Sequence, residues 1–361
     1  MTTTHQDRRH PAERGQATPE HIVARVQNEG MKPRAIALLS GGLDSTLAVK
    51  LILDQGIEVE ALNFVTPFCN CNRQGRCEAK HVAEGFGIPW KTIALTEEFF
   101  RVIREPKHGY GSGMNPCLDC RILMFSQARE RMEEIGAAFV FTGEVLGQRP
   151  MSQHRQAMRI IDRESGLDGR LLRPLSAQLL EPTIPEKEGL VDRKKLLAIQ
   201  GRSRKSQMAL AEEYGIADYP CPAGGCLLTD PGFARRMRDL VRFRPDFDLN
   251  DVNLLKVGRH FRLSPKAKAV VGRNEGENQR LLVLAQRSDF LFEIKGCGSP
   301  VTLLRGEAGQ EEIHLAATIT ARYSDADSDE IQVHYGTDYA ALSETIPASP
   351  LGEDELTRLR I

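Results

Sequence analysis

No stretch of this chain is apolar for long enough to act as a signal peptide or to span a membrane. That excludes a membrane-embedded class and points to a cytoplasmic protein. An excess of one charge is also missing, with 48 basic residues against 49 acidic. There is no internal repeat and no low-complexity tract. Two common nucleotide signatures are absent too: no Gly-Lys-Ser/Thr of the Walker type and no spaced Gly-x-Gly-x-x-Gly, which excludes a P-loop NTPase and a Rossmann dinucleotide fold. What is abundant is cysteine, eight in 361 residues, and seven of the eight fall in three tight groups. In a reducing compartment this favours metal binding or sulfur chemistry over disulfides.

The turn "IALLSGGLDSTLAVK" is the most informative stretch. An apolar strand ends at Leu39, and Gly41 and Gly42 permit backbone angles that other residues avoid. A helix with Leu43, Leu47 and Leu51 on one face follows at once. Backbone N–H groups then converge on one spot at a helix N-terminus, a setting for a phosphate. Ser40, Ser45 and Thr46 add hydroxyls. The bland alternative is a glycine turn capped by Ser40 or Asp44.

Strand-like runs at Ala35 to Leu39, Val59 to Val65, Trp90 to Leu95 and Ala138 to Thr142 alternate with helical patterns after Gly42, Cys77 and Cys120. This predicts an α/β fold, a parallel sheet with helices on both faces, and a ligand crevice at the carboxyl ends of the strands. Asn63, Thr66, Gly143 and Glu144 belong to that end. Another helix is predicted over Ser203 to Tyr214. After about Phe233 the texture turns to short strands and turns, a smaller α+β module. The expected division is an extension over 1–30, a first domain over 31–234, a basic domain over 235–310 and an acidic segment over 311–361. Arg235 to Arg305 holds nearly twice as many basic as acidic residues, and the sign reverses beyond it.

Cys117 and Cys120 form a Cys-x-x-Cys at a predicted helix start, compatible with a redox dithiol, half a zinc site or part of an iron-sulfur cluster. The helix dipole and Arg121 are expected to favour the thiolate. Cys226, after two glycines, is the preferred third ligand over Cys221, giving a metal set of Cys117, Cys120 and Cys226 that leaves one iron of a 4Fe-4S cluster open. Cys69, Cys71 and Cys77, with His81 one turn further on, make a second metal site or a sulfur relay. Arg202, Arg204 and Lys205 meet RNA phosphates or a nucleotide, or form a solvated face. Arg259, Arg262, Lys266, Lys268 and Arg273 are expected on RNA phosphates, with His260 and Phe261 available for stacking, though Phe261 suits the core.

Ser40-Gly41-Gly42-Leu43-Asp44-Ser45 resembles the PP-loop of the ATP pyrophosphatases. "NPCLDCRILMF" and "TGEVLGQRPMSQ" resemble segments of the tRNA thiouridine synthases within that group, and "VGRHFRLSPKAKAVVGRNEGEN" is similar to the NFACT RNA-binding domain. The resemblance spans roughly residues 31 to 305. Segments like THUMP, rhodanese or glutaminase domains are not found. The resemblance implies ATP held by Ser40, Gly41, Gly42, Leu43, Asp44, Ser45, Asn63 and Gly143, with Mg²⁺ at Asp44. A uridine oxygen of tRNA would be adenylated and then replaced by sulfur, from an open iron or from a persulfide on Cys226 or Cys120, so that Asp44, Cys120 and Cys226 are the catalytic candidates. Sulfur would come from a cysteine desulfurase, a sulfur carrier or free sulfide, and a homodimer is compatible with the chain. The alternatives are a PP-loop enzyme passing sulfur or ammonia to a small molecule, and an RNA-binding protein with a relic nucleotide site.

Overall fold

The computed structural model describes residues 32–69, 77–217, 219, 225–328 and 330–361. The 1–30 extension, Cys71 and Cys221 lie outside the described residues. The chain forms two compact units, the first from residues 1–65, 71–94 and 117–223, the second from 66–70, 95–116 and 224–361.

In the first unit the elements are β1 (Arg34–Leu38), α1 (Leu43–Leu53), β2 (Glu58–Val65), α2 (Glu78–Gly85), β3 (Trp90–Ala94), α3 (Cys117–Ile135), β4 (Phe139–Thr142), α4 (Arg155–Glu164), β5 (Leu171–Leu172) and α5 (Lys205–Glu213). The five strands pair in parallel in the order β3-β2-β1-β4-β5. Period-two alternation splits their side chains between two cores. Ala35 and Ala37 face Ala48, Val49 and Ile52 of α1 and Ala79, Val82 and Ala83 of α2. Ile36, Leu62 and Val140 face Phe125, Ala128 and Met132 of α3 and Ile161 of α4. Helices therefore cover both faces, as the patterning predicts; the four expected strands end within one residue of their expected places, and the two-residue β5 was not foreseen. β1 pairs with β2 on one side and β4 on the other, so the connections diverge at the end of β1, which opens a crevice there.

The second unit is built on α6 (Pro231–Phe243), α7 (Leu249–Leu254), β6 (Arg259–Ser264), β7 (Ala267–Val271), α8 (Glu275–Leu284), β8 (Phe290–Glu293), β9 (Thr302–Gly306), α9 (Gln310–Arg322), β10 (Ile331–Gly336), β11 (Glu344–Ala348) and α10 (Glu353–Leu359). Its six strands are antiparallel in the order β11-β10-β8-β9-β7-β6. α9 packs Ile313, Ala316 and Ala317 on one face against Phe292, Leu304 and Val333. The other face buries Leu254, Val270, Leu281 and Leu303.

Two expectations need correction here. Phe233 lies inside α6, capped by the Asp230 carboxylate, which accepts from the Phe233 N–H at 2.7 Å, so the short strands begin only at Arg259. The acidic residues 311–361 are no separate segment: most of α9, all of β10 and β11, and α10 belong to the same sheet-and-helix body. Composition marks them off because their acidic side chains decorate elements whose inner faces are apolar.

Phe292 is fully buried and stacks on Tyr335 with ring centroids 5.5 Å apart. Phe292→Ala is expected to cost about 3–5 kcal/mol, measured by denaturant unfolding followed by far-UV circular dichroism. A loss below about 1 kcal/mol would show that this stack is not a keystone of the second unit.

Candidate active site

The chain leaves β1 through Leu39 and turns at Ser40–Gly42 into α1. Gly41 has φ of +77°, and a Cβ there would meet the backbone of Glu78 and Ala79 at about 2.5 Å, so α2 begins directly against the turn. Gly143, just past β4, is as crowded: a Cβ would lie 2.4 Å from Asp44 C and Ser45 N. Glycine at 41 and 143 lets two backbones close on the first turn of α1. The hydroxyls are held locally. Ser45 Oγ donates to Gly42 O at 2.9 Å and lies 3.1 Å from Ser40 Oγ, and Thr46 Oγ1 donates to Gly42 O at 3.1 Å. Leu43 serves the core with Leu47, Leu51 and Val145, so only its backbone faces the loop's function. Asn63 donates Nδ2 to Leu39 O at 2.9 Å and so secures the strand end.

Asp44 carries the chemical interest. Its Oδ2 accepts from Gln148 Nε2 at 3.0 Å, while its Oδ1 is buried with no hydrogen-bond partner in the structure. A buried carboxylate oxygen left open beside the N–H groups of a helix start suits a divalent cation bound with a polyphosphate. The turn bearing Gln148 is itself tethered: Gly147 N–H donates to Gln153 O at 2.6 Å, Arg149 N–H to Gln153 Oε1 at 3.0 Å, and Leu146 N–H to Ser176 Oγ at 2.9 Å.

Glu144, only 3% exposed, is the hub of a buried ion group. Its Oε2 accepts from Arg173 Nε at 3.1 Å, and its Oε1 lies 3.4 Å from Arg121 Nε. Arg173 also grips Asp162 with two bonds of 2.9 and 2.7 Å. Burial pushes the Asp162 carboxyl upward against the pull of Arg173. Arg173, Asp162 and Arg149 are residues that sequence reasoning missed. The available signal was a charge inside apolar runs, "LLRPL" and "RIID".

Cys117 opens α3 and Cys120 follows one turn later, both half-buried. The expected thiolate at the helix start is corrected at Cys117. Burial raises that thiol above its ordinary value, and the nearby guanidiniums of Arg121 and Arg149 only partly offset it. Arg149 is pushed down chiefly by the neighbouring charge of Arg121, then by burial. Among the described residues, which leave out Cys71 and Cys221, no group of three or more His, Cys, Asp and Glu that could hold a metal ion is found. Cys117, Cys120 and Cys77 belong to the first unit, and Cys69 and Cys226 to the second.

The basic residues divide. The bridge between Leu146 and Gln200, with Gly201 N–H donating to Leu146 O at 2.7 Å, draws Arg202, Arg204 and Lys205 toward the Gln148 turn. Arg202 and Lys205 are exposed there, and Arg204 Nε is buried without a partner. In the second unit Lys268 and Arg262 share Asp239, with Lys268 Nζ 3.6 Å from its carboxylate, and burial brings the Lys268 ammonium down to about 8. Lys268 is no surface phosphate contact. His260 and Phe261 are buried too, which removes them as stacking platforms, and His260 is held neutral by burial with Nε2 2.8 Å from Val257 O. Arg259 lies over the Tyr323 ring at 4.6 Å, Arg273 is clasped by Glu277, and Lys266 pairs with Glu307. Of the five, Lys266 and Arg273 are exposed, each with a carboxylate partner that a phosphate would have to replace.

Comparison with known proteins gives matching families for both halves. Residues 30–179 match the model described as thiamine biosynthesis protein (ThiI), and residues 258–360 match the NFACT protein RNA binding domain. The tRNA-specific 2-thiouridylase MnmA of Gloeothece citriformis is 24% identical over 336 residues, 90% of either chain. MnmA 1 of Caldanaerobacter subterraneus subsp. tengcongensis is 32% identical over 125 residues, which is 30% of this chain and 34% of that relative. The chain thus spans only about a third of the length of this more identical relative. Among solved structures, the U34-tRNA thiolase NcsA from Methanococcus maripaludis aligns with a TM-score of 0.32 and 16% identity, covering 66% of this chain and 77% of that one.

The amide-lined turn between β1 and α1, with its open carboxylate, lies within the residues that match the ThiI model. This chain joins a region similar to ThiI to a region similar to the NFACT RNA binding domain.

Removing Glu144 strands Arg173 in the core, since only Asp162 would remain to pair with it. Glu144→Ala is expected to cost about 3–5 kcal/mol, read as a fall in the denaturation midpoint of the full chain. An unchanged midpoint would show that the ion group does not hold the site together.

Proposed function

We propose that this protein is an ATP-dependent tRNA thiouridine synthase: it adenylates a uridine carbonyl oxygen and replaces that oxygen with sulfur. The observation that carries the reading is Asp44, whose one oxygen is fixed by Gln148 and whose other is buried and open at the start of α1. The residues fit ATP. The backbone N–H groups of Gly41 to Ser45 receive the β and γ phosphates, and the close approaches at Gly41 and Gly143 shape the cradle. When bound, Mg²⁺ at Asp44 would supply charge neutralisation on the phosphates.

A uracil carbonyl oxygen is a poor leaving group, and sulfide does not displace it unaided. In the proposed first step the uridine oxygen attacks the α phosphorus of ATP and pyrophosphate leaves, its charge spread over the loop amides. The oxygen is now bonded to AMP, a good leaving group. In the second step a sulfur nucleophile derived from a persulfide on Cys120 or Cys226 attacks the ring carbon, and AMP departs with the oxygen. The described cysteines give no support for routing this step through a cluster. The NFACT-type domain supports a tRNA substrate, as do relatives named for tRNA 2-thiouridylation. The basic residues Arg202, Arg204 and Lys205 beside the Gln148 turn are proposed to meet tRNA phosphates or ATP, and Lys266 and Arg273 to meet tRNA phosphates.

The test is transfer of labelled sulfur into tRNA, together with tRNA-dependent exchange of pyrophosphate into ATP. Asp44→Ala is expected to lower exchange at least about 100-fold, in keeping with loss of a charged group that acts in the transition state. Gln148→Ala, which frees the Asp44 carboxylate without removing it, is expected to cost about tenfold. Pyrophosphate exchange supported by a small molecule in place of tRNA would overturn the reading.

A further inference from the structure

The second unit contains a cavity of about 90 Å³ that plays no part in the proposed chemistry. Its apolar side is Leu240 and Phe243 of α6, Leu254 of α7, Leu255 just past it, and Pro265 in the hairpin between β6 and β7. Its polar side is almost wholly cationic: Arg244, Arg262, Lys266, Lys268 and Arg305, against Asp251 alone. These residues come from four separate stretches of the chain, and three contacts gather them. Arg262 lies over the Phe243 ring at 4.7 Å, which ties β6 to the end of α6. Arg305 Nη1 donates to Asp251 Oδ1 at 3.0 Å, which ties β9 to α7. A Cβ at Gly306 would lie 1.9 Å from Lys266 O, so glycine there lets β9 close on the hairpin and brings Lys266 to the rim.

Charge is not balanced on this wall. The carboxylates paired with the five cations are Asp239, Asp251, Asp289 and Glu307, one fewer than the cations. Burial first, then the charges of Arg262 and Arg236, bring the Lys268 ammonium down to about 8 despite Asp239. Arg305 commits its N–H groups to Asp289, Asp251, Asn250 and the Leu284 carbonyl, so it contributes charge to the cavity and no free donor. Arg244 meets Asp251 through Nε at 3.0 Å, and Lys268 Nζ stands 3.6 Å from Asp239, which leaves the two amino groups of Arg244 and part of the Lys268 ammonium for a ligand. The volume is that of about three waters, the scale of the three non-bridging oxygens of a terminal phosphate. At neutral pH such a group carries roughly 1.5 to 2 negative charges. An internal phosphate has ester links on two sides and would need room for a chain to pass through. We propose that this cavity is a receptor for a phosphate group with at most one ester bond, which Arg244, Lys266 and Lys268 hold between walls fixed by Arg262 and Arg305. Two sources supply that chemistry, free orthophosphate and the 5′-terminal phosphate of an RNA. The proposal does not rest on the thiolation reading.

Two measurements on the full chain test this. In the first, inorganic phosphate is titrated into the protein and the heat of binding is followed. Saturable binding is expected with a Kd below about 1 mM. Arg244→Ala and Lys268→Met are expected to weaken it at least about tenfold, the scale of one lost charge-assisted hydrogen bond. Arg244→Ala leaves Asp251 paired with Arg305, so this variant keeps the buried charges matched. Arg322→Ala, which removes an exposed charge of α9 outside the cavity, is the unaffected control. Phosphate binding that neither Arg244→Ala nor Lys268→Met weakens belongs to the loop at Ser40–Ser45 and overturns the proposal. In the second, retention of one single-stranded oligoribonucleotide is compared with a 5′-phosphate and with a 5′-hydroxyl end. At least about tenfold tighter retention of the phosphorylated form, lost in Arg244→Ala, identifies the RNA terminus as the source. Equal retention of the two forms, with orthophosphate still bound at this site, identifies free phosphate. Equal retention with no orthophosphate binding overturns the proposal.

Discussion

The close backbone approach at Gly143 governs the first unit. A Cβ at this position would overlap Asp44 and Ser45, so only glycine lets the end of β4 press against the first turn of α1. That contact holds the end of β4 against the start of α1 beside the crevice. The residues that follow inherit the placement. Glu144 is directed into the ion group with Arg173 and Arg121, Leu146 is pinned to Ser176, and Gln148 reaches back to the Asp44 carboxylate. Six consecutive residues thus convert one steric constraint into a polar frame around a single acidic side chain.

That frame has an electrostatic logic. A buried carboxylate with one oxygen open is expensive to keep. Here its surroundings supply helix-start amides, an amide side chain and, slightly further off, arginines, an arrangement that becomes favourable once a charged polyphosphate and its cation arrive. The Glu144–Arg173–Asp162 group is different in kind, since its charges satisfy one another. It gives rigidity to the wall of the crevice, and Arg121 extends it to the edge where Cys117 begins α3.

Much of this was legible in the sequence. The strands could be read because alternating Ala and Ile positions in "AIAL" must serve two apolar faces, and the loop because Ser-Gly-Gly-x-Asp-Ser compresses its whole logic into six adjacent residues. The ion group was not legible, because Glu144 and Arg173 are 29 positions apart and only the parallel pairing of β4 with β5 makes them neighbours. The basic block misled for a related reason. Lys268 and Arg262 look like surface charges until β6 and β7 turn them toward Asp239, 23 residues upstream of Arg262.

The phenylalanine anchor around Phe68 bears on where the chain can be divided. Residues 66–70 and 95–116 belong to the second unit although they interrupt the first in sequence, and Phe68, Phe99 and Phe100 close a ring cluster with Phe233 and Phe247. The RNA-binding family match begins only at residue 258. The boundary between the two units therefore falls at several points of the sequence, and no single cut through the chain separates them.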